Sequence, residues 1–182
     1  MTTTTYQRLI GLLGENDARY RLVDHAPEGR TAPASVLRRH PLAQAAKCLV
    51  VRVALGRKAR RYVLAVIPGD RRVDLDGLRD LYDGTEASFA ARDVAEQLAG
   101  SVSGTIIPFA FHQELELLAD PDLLAHDEIY FNAARLDRSV ALATADYQRL
   151  AEPRVLPIAQ PPEPSEPWEP WEPREAHAIL PA

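Results

Sequence analysis

Residues 45–68 (AAKCLVVRVALGRKARRYVLAVIP) carry the most restrictive pattern in this chain. Side chains alternate across a strand with period two, so Leu49, Val51, Val53 and Leu55 share one face. Cys48, Val50 and Ala54 are apolar on the other face, which predicts a strand covered on both sides. A second apolar run ends at Pro68 and completes a hairpin whose turn holds Arg57, Lys58, Arg60 and Arg61. Lys47 has the parity of Leu49 and Val51, so an ammonium opens a row that otherwise points into apolar packing. Such a cation keeps a wet opening, finds a partner or binds an anion. A lysine snorkelling at a strand end meets the same pattern.

Around this hairpin, strands and helices alternate unevenly. Tyr6, Leu9, Ile10 and Leu13 recur at helical spacing, and residues 20–25 read as a short strand that stops before Pro27. Residues 31–46 carry helix-like stretches expected to break at Pro33 and at His40-Pro41. Asp74 caps a helix with Leu75, Leu78, Leu81 and Tyr82 on one face, and residues 91–99 form another that ends at Gly100. Residues 88–90 look extended. Strands are expected at 115–119, 129–132, 139–142 and 154–158, a single helical turn at 121–124, and a last helix over 145–150 with Thr144 as its cap. Short strands in this arrangement point to an α+β domain on a mixed or largely antiparallel sheet.

At 182 residues the chain makes one domain with a full-sized core. Its body is expected over residues 1–158. From Ala159 onward proline recurs at almost every second or third position and Trp-Glu-Pro repeats, as in an extended or disordered tail. Both tryptophans, Trp168 and Trp171, lie in that tail, and exposed aromatics on a stiff chain also suit docking to a partner groove. The tail holds five glutamates and one arginine of the 26 acidic and 21 basic residues, so the body before it carries 21 acidic and 20 basic. A near-neutral body leaves the question of a polyanionic partner to local patches. The single cysteine, Cys48, permits no internal disulfide. Without a signal-peptide pattern or a run of membrane-spanning length, the cytoplasm is the expected compartment.

The familiar catalytic signatures are missing. No Gly-x-Ser-x-Gly, phosphate loop, His-Glu-x-x-His or cysteine pair occurs, and the five histidines show no ligand spacing. By parity, Cys48 points away from the Lys47 row and reads as a buried small hydrophobe. Two features carry more. Arg57, Lys58, Arg60 and Arg61, with Arg52 and Arg71-Arg72 nearby and Arg38-Arg39-His40 as a second group, are either a solvated turn or a phosphate-contacting rim. Gly104-Thr105-Ile106-Ile107-Pro108 places a glycine among apolar residues, where a ligand or second backbone can come close, with a proline to stiffen the loop.

Four stretches then fall in a telling order: AAKCLVVRV, RYVLAVIPGDRRVDLDGLRDL, Gly104-x-x-x-Pro108, and residues 129–133 (IYFNA) before 139–142 (SVAL). In this combination the chain resembles the YbaK/prolyl-tRNA editing domain family, deacylases that hydrolyse mischarged aminoacyl-tRNA, over residues 5–157. The resemblance implies a mixed, curved, partly barrel-like sheet flanked by helices. It implies that Lys47 is the family's essential lysine beside the tRNA 3′ end. Gly104 and Pro108 match its pocket-lining loop, and Asn132 stands where relatives carry serine or histidine. It further implies hydrolysis without a side-chain nucleophile, cofactor or metal, the terminal ribose hydroxyl assisting the water. The expected partners are tRNA, contacted in part by Arg57, Lys58, Arg60 and Arg61, and an aminoacyl-tRNA synthetase; DNA and membranes are not expected. A catalytically silent relative that binds tRNA or a synthetase is the alternative, and Lys47 with Gly104 and Pro108 favours the enzyme.

Overall fold

The computed structural model describes residues 3–162, so Trp168, Trp171 and nearly all of the expected tail lie outside the described residues. The central hairpin forms as its alternation requires. Strand β2 (Ala46–Ala54) pairs antiparallel with β3 (Arg60–Pro68), with Lys47 opposite Ile67. Val51, Val53, Val63, Ala65 and Ile67 enter one core, and Ala46, Val50, Leu64 and Val66 enter a second on the other face. Coverage on both faces explains why polar positions within these strands are so few.

Two sheets share the work. The larger adds β4 (Glu86–Phe89), β5 (Leu115–Ala119) and β8 (Arg154–Val155) in the order β4-β2-β3-β5-β8, with β5 parallel to β3 and to β8. The smaller is antiparallel, in the order β1-β7-β6, from β1 (Tyr20–Asp24), β6 (Glu128–Asn132) and β7 (Arg138–Ala143). Among the described residues a single bridge, Ala45 to Tyr130, joins them, so the sheets meet at one corner without closing into a barrel. Strand β4 pairs only with residues 51–54 of β2, which leaves the first half of β2 open on that side.

The helices cover the outer faces. In α1 (Thr5–Glu15) a reciprocal Thr4–Gln7 capping box holds the start, and Leu9 and Leu13 are fully buried. Strand β5 leads through α5 (Pro121–Leu124) to β6, and α3 (Leu75–Leu81) is capped by Asp74, whose carboxylate accepts from the Gly77 N–H at 2.9 Å. Helix α4 (Arg92–Ala99) stops at Gly100, which adopts φ +67°.

Three expectations are corrected. Helix α2 (Thr31–Arg38) runs straight through Pro33, because the third helical position lies where backbone N–H groups lack an intrahelical acceptor anyway. It ends at Arg39, in the left-handed region at φ 58°. Thr144 does not cap α6 (Thr144–Ala151): Ala143 holds the cap position, and the Thr144 hydroxyl is buried without a hydrogen-bond partner among the described residues. The start of α6 is tied down by Asp146, which accepts from Arg19 N and Nε at 2.9 Å. The last strand is two residues long, yet packing continues beyond it. Asp120 accepts from the N–H groups of Ile158 and Ala159, and Gln160 N–H donates to the Arg72 carbonyl at 2.7 Å.

Candidate active site

A cavity of about 180 Å³ lies beside the open half of β2. Four segments wall it. The turn before α2 and the helix itself supply Gly29, Arg30, Thr31, Ala34 and Arg38; Thr31, Ala34 and Arg38 share one helical face at spacings of three and four. Strand β2 supplies residues 46–49, the loop after α4 supplies Gly104 and Ile106, and the end of β6 supplies Phe131 and Asn132. A typical pocket for a drug-sized ligand measures ~300–1,000 Å³. This one suits a group the size of a small amino acid.

Two backbones meet at the rim. Gly104 adopts φ +87°, and a Cβ placed there would lie 2.8 Å from Gly29 Cα and from the Gly29 carbonyl oxygen. Only glycine permits both that conformation and that approach. Asn132 holds the contact shut. Its side-chain amide donates to the Glu28 carbonyl at 2.8 Å and to the Gly104 carbonyl at 2.9 Å, one hydrogen to each loop. With both hydrogens engaged, Oδ1 faces Ser139, whose hydroxyl donates to it at 2.9 Å. Asn132 is 7% exposed and clamps the wall. Its amide N–H groups are not available to a bound molecule.

The Ser139 hydroxyl lies directly across from Asn132 in the β6–β7 register and has further partners. Arg38 Nη1 donates to it at 3.3 Å, and His25 Nε2 lies 2.7 Å away, while His25 Nδ1 lies 2.8 Å from the Ala26 carbonyl. Residues 25, 38, 132 and 139 thus form one polar knot, in which Arg38 and Asn132 line the cavity and His25 and Ser139 lie behind them.

Among the described residues the lining carries three cations and no carboxylate. Arg30 is paired with Glu28 at 3.2 Å. Lys47 borders the cavity while its ammonium donates to the Arg71 carbonyl at 3.2 Å, a single bond that an anion could replace. Arg38 is 8% exposed and donates from Nε to the Ala34 carbonyl at 3.1 Å. Burial pulls its pKa down to about 10, which still leaves the guanidinium charged at neutral pH. Burial pushes the Cys48 thiol well up, away from the thiolate form a nucleophile needs.

Lys47, Gly104 and Asn132 are therefore brought to one cavity. Pro108 is buried between Ile107 and Phe109 of the core and does not reach the lining. The basic turn lies at the far end of the hairpin, about 25 Å along β2 at ~3.3 Å per residue. There Arg61 is paired with Glu116 at 3.6 Å, and Lys58, Arg60 and Arg61 border an open groove with Glu114 and Glu116 on its other side. His25, Gly29, Ser139 and the wall position of Arg38 emerge only from the structure. Only Arg38 left a trace, through its spacing with Thr31 and Ala34; the others act across separations visible only once the chain is folded.

Comparison with known proteins bears on this arrangement. Residues 26–150 match the aminoacyl-tRNA editing domain. The chain is 43% identical over 155 residues to the multifunctional Ser/Thr-tRNA deacylase ProXp-y of Escherichia coli K12, covering 85% of this chain and 92% of that protein. Among solved structures, a candidate trans-editing enzyme for prolyl-tRNA synthetase superposes with a TM-score of 0.71 at 21% identity, covering 88% of this chain and all of the other. A hypothetical protein superposes with a TM-score of 0.75 at 19% identity, covering 84% and 99% of the two chains. At such identities the structures speak for the fold alone, whereas the domain match and the close relative settle the family: this chain belongs to the aminoacyl-tRNA editing domain family.

Proposed function

We propose that the cavity receives the aminoacyl end of a mischarged tRNA and that the protein, an aminoacyl-tRNA deacylase acting in trans, removes small residues such as serine, threonine and alanine. The carrying observation is the wall made by Gly29 and Gly104, two backbones in contact and clamped by Asn132. A backbone wall cannot withdraw as a side chain can, so it excludes bulk. The name of the Escherichia coli relative, a Ser/Thr-tRNA deacylase, supports the serine and threonine part of that range.

In the reaction, a water oxygen bonds to the ester carbonyl carbon and the bond from that carbon to the ribose oxygen breaks. The ribose oxygen takes a proton, releasing the free amino acid and a tRNA with its terminal hydroxyl restored. The ester is already activated, so orientation and charge stabilisation suffice and no side-chain nucleophile is required. Lys47 contacts the 3′-terminal end of the tRNA after exchanging its bond to the Arg71 carbonyl. Arg57, Lys58, Arg60 and Arg61 contact phosphates farther along the acceptor arm, at the distance the hairpin sets. The Pro/Glu/Trp-rich tail is a separate segment and the contact for a synthetase partner, and the cytoplasm, where tRNA is charged, is the compartment of action.

The test is deacylation by purified protein of a panel of mischarged tRNAs. Serine, threonine and alanine should be released and phenylalanine and tyrosine retained. Efficient release of phenylalanine or tyrosine contradicts the proposed wall.

A further inference from the structure

Arg38 is the only buried cation among the described residues. Most of the other arginines either meet a carboxylate or sit exposed at the surface, but Arg38 has no carboxylate within ion-pair distance among the described residues. Its position in the last turn of α2 gives partial relief, because the helix dipole favours a cation there and Nε reaches the Ala34 carbonyl. Nη1 donates to Ser139, and Nη2 makes no hydrogen bond to any described residue. A buried charge left unpaired is costly. Here it lines a cavity to which no described residue brings an acidic side chain, and the hydroxyl it grips belongs to the knot that shapes the cavity wall.

We propose that Arg38 is an anion-binding residue of the reaction itself, its guanidinium taking the carbonyl oxygen of the substrate ester as that oxygen becomes negative. The inference rests on the reading of the cavity as an ester-hydrolysing site. When water adds to the carbonyl carbon, the carbonyl π electrons move onto this oxygen, and they return when the ribose oxygen departs. A fixed cation at low exposure stabilises that charge without reorganisation. Two anions arise near the scissile bond, the new oxyanion and the phosphate linking the last two nucleotides. The depth of Arg38 and the size of the cavity favour the oxyanion, since about 180 Å³ admits the aminoacyl group and not a nucleotide.

The probes are two stable analogues of seryl-adenosine, one with an uncharged amide in place of the ester and one with a phosphonate anion in place of the carbonyl. Each is also made on cytidylyl-adenosine, which adds the internucleotide phosphate. Wild-type protein should bind the phosphonate at least tenfold more tightly than the amide. Arg38→Gln should abolish that preference, keep amide affinity within about threefold, and lower single-turnover release of serine by about 100-fold, the usual effect of losing one oxyanion donor. Arg38→Lys should recover part of both. Equal weakening of both analogues in Arg38→Gln would mean a structural role only. Weakening confined to the dinucleotide forms would assign the guanidinium to the phosphate. Either result overturns the proposal. If Arg38→Gln does not fold, the wild-type preference and Arg38→Lys decide, and absence of the preference in wild type overturns it as well. A wild type that hydrolyses no mischarged tRNA refutes the site, whereas a hydrolysing wild type with indifferent Arg38 variants refutes only this role.

Discussion

Gly104→Ala is the substitution that most sharply tests the double-glycine wall. The added Cβ would stand 2.8 Å from both Gly29 Cα and the Gly29 carbonyl oxygen, against backbone that has no rotamer by which to yield. Alanine at φ +87° adds strain of about 1–2 kcal/mol. Relief requires the two loops to part, which breaks at least one of the Asn132 bonds to the Glu28 and Gly104 carbonyls, worth about 0.5–1.5 kcal/mol. The total, about 2–3 kcal/mol, corresponds to a Tm lower by about 4–12 °C in a domain of this size. Gly29→Ala is the internal control. Its Cβ meets the end of the Leu136 side chain at 3.1 Å and Gly104 Cα at 3.4 Å, and the former can rotate away. Thermal melts and steady-state release of serine should therefore rank wild type, Gly29→Ala, Gly104→Ala in descending order, with kcat/KM for Gly104→Ala reduced by at least about tenfold. A Gly104→Ala protein with wild-type Tm and wild-type kcat/KM would show that the two backbones do not touch.

Three further outcomes follow from the same geometry. Lys47→Ala should lower deacylation by at least about tenfold, or about 1.4 kcal/mol, with the melt unchanged; full turnover in the folded variant removes Lys47 from the site. Neutralising Arg57, Lys58, Arg60 and Arg61 together should weaken tRNA binding and flatten its dependence on salt while leaving the order of amino acids intact, and an unaltered salt slope assigns them to a bystander surface. His40 stacks on Tyr130 with ring centroids 3.8 Å apart, and burial pulls its pKa down to about 4. The unfolded chain, with a histidine pKa of about 6.5, then binds the extra proton between those values, so stability should fall by about 1–3 kcal/mol as pH drops from about 6.5 to 4. Urea midpoints should show this slope in the wild type and a reduced one in His40→Gln; equal slopes would place it elsewhere.

The hairpin was legible from residues alone because period-two alternation and a terminal proline leave few alternatives, and its strands end where the alternation does. The Asn132–Ser139 neighbourhood was half legible: the strand pair could be read, but not which side chains would share hydrogens. Pro33 misled because proline reads as a breaker until its helical position is known. Thr144 misled because a cap is defined by backbone angles one residue away. The Gly29–Gly104 contact joins loops 75 residues apart, and His25 reaches Ser139 across 114. Neither pair shows any periodicity, since each is made by tertiary packing. With Arg39 and His40, Arg38 reads as part of a solvated turn or a phosphate-contacting rim, although its spacing with Thr31 and Ala34 marks the inner face of α2.

The most direct measurement of the central claim is a competition in one tube, with the wild-type protein offered the same tRNA carrying serine or phenylalanine. The seryl ester should be lost rapidly and the phenylalanyl ester should decay at the uncatalysed rate, because a clamped backbone wall admits the first and blocks the second. Comparable enzymatic loss of both esters would contradict it.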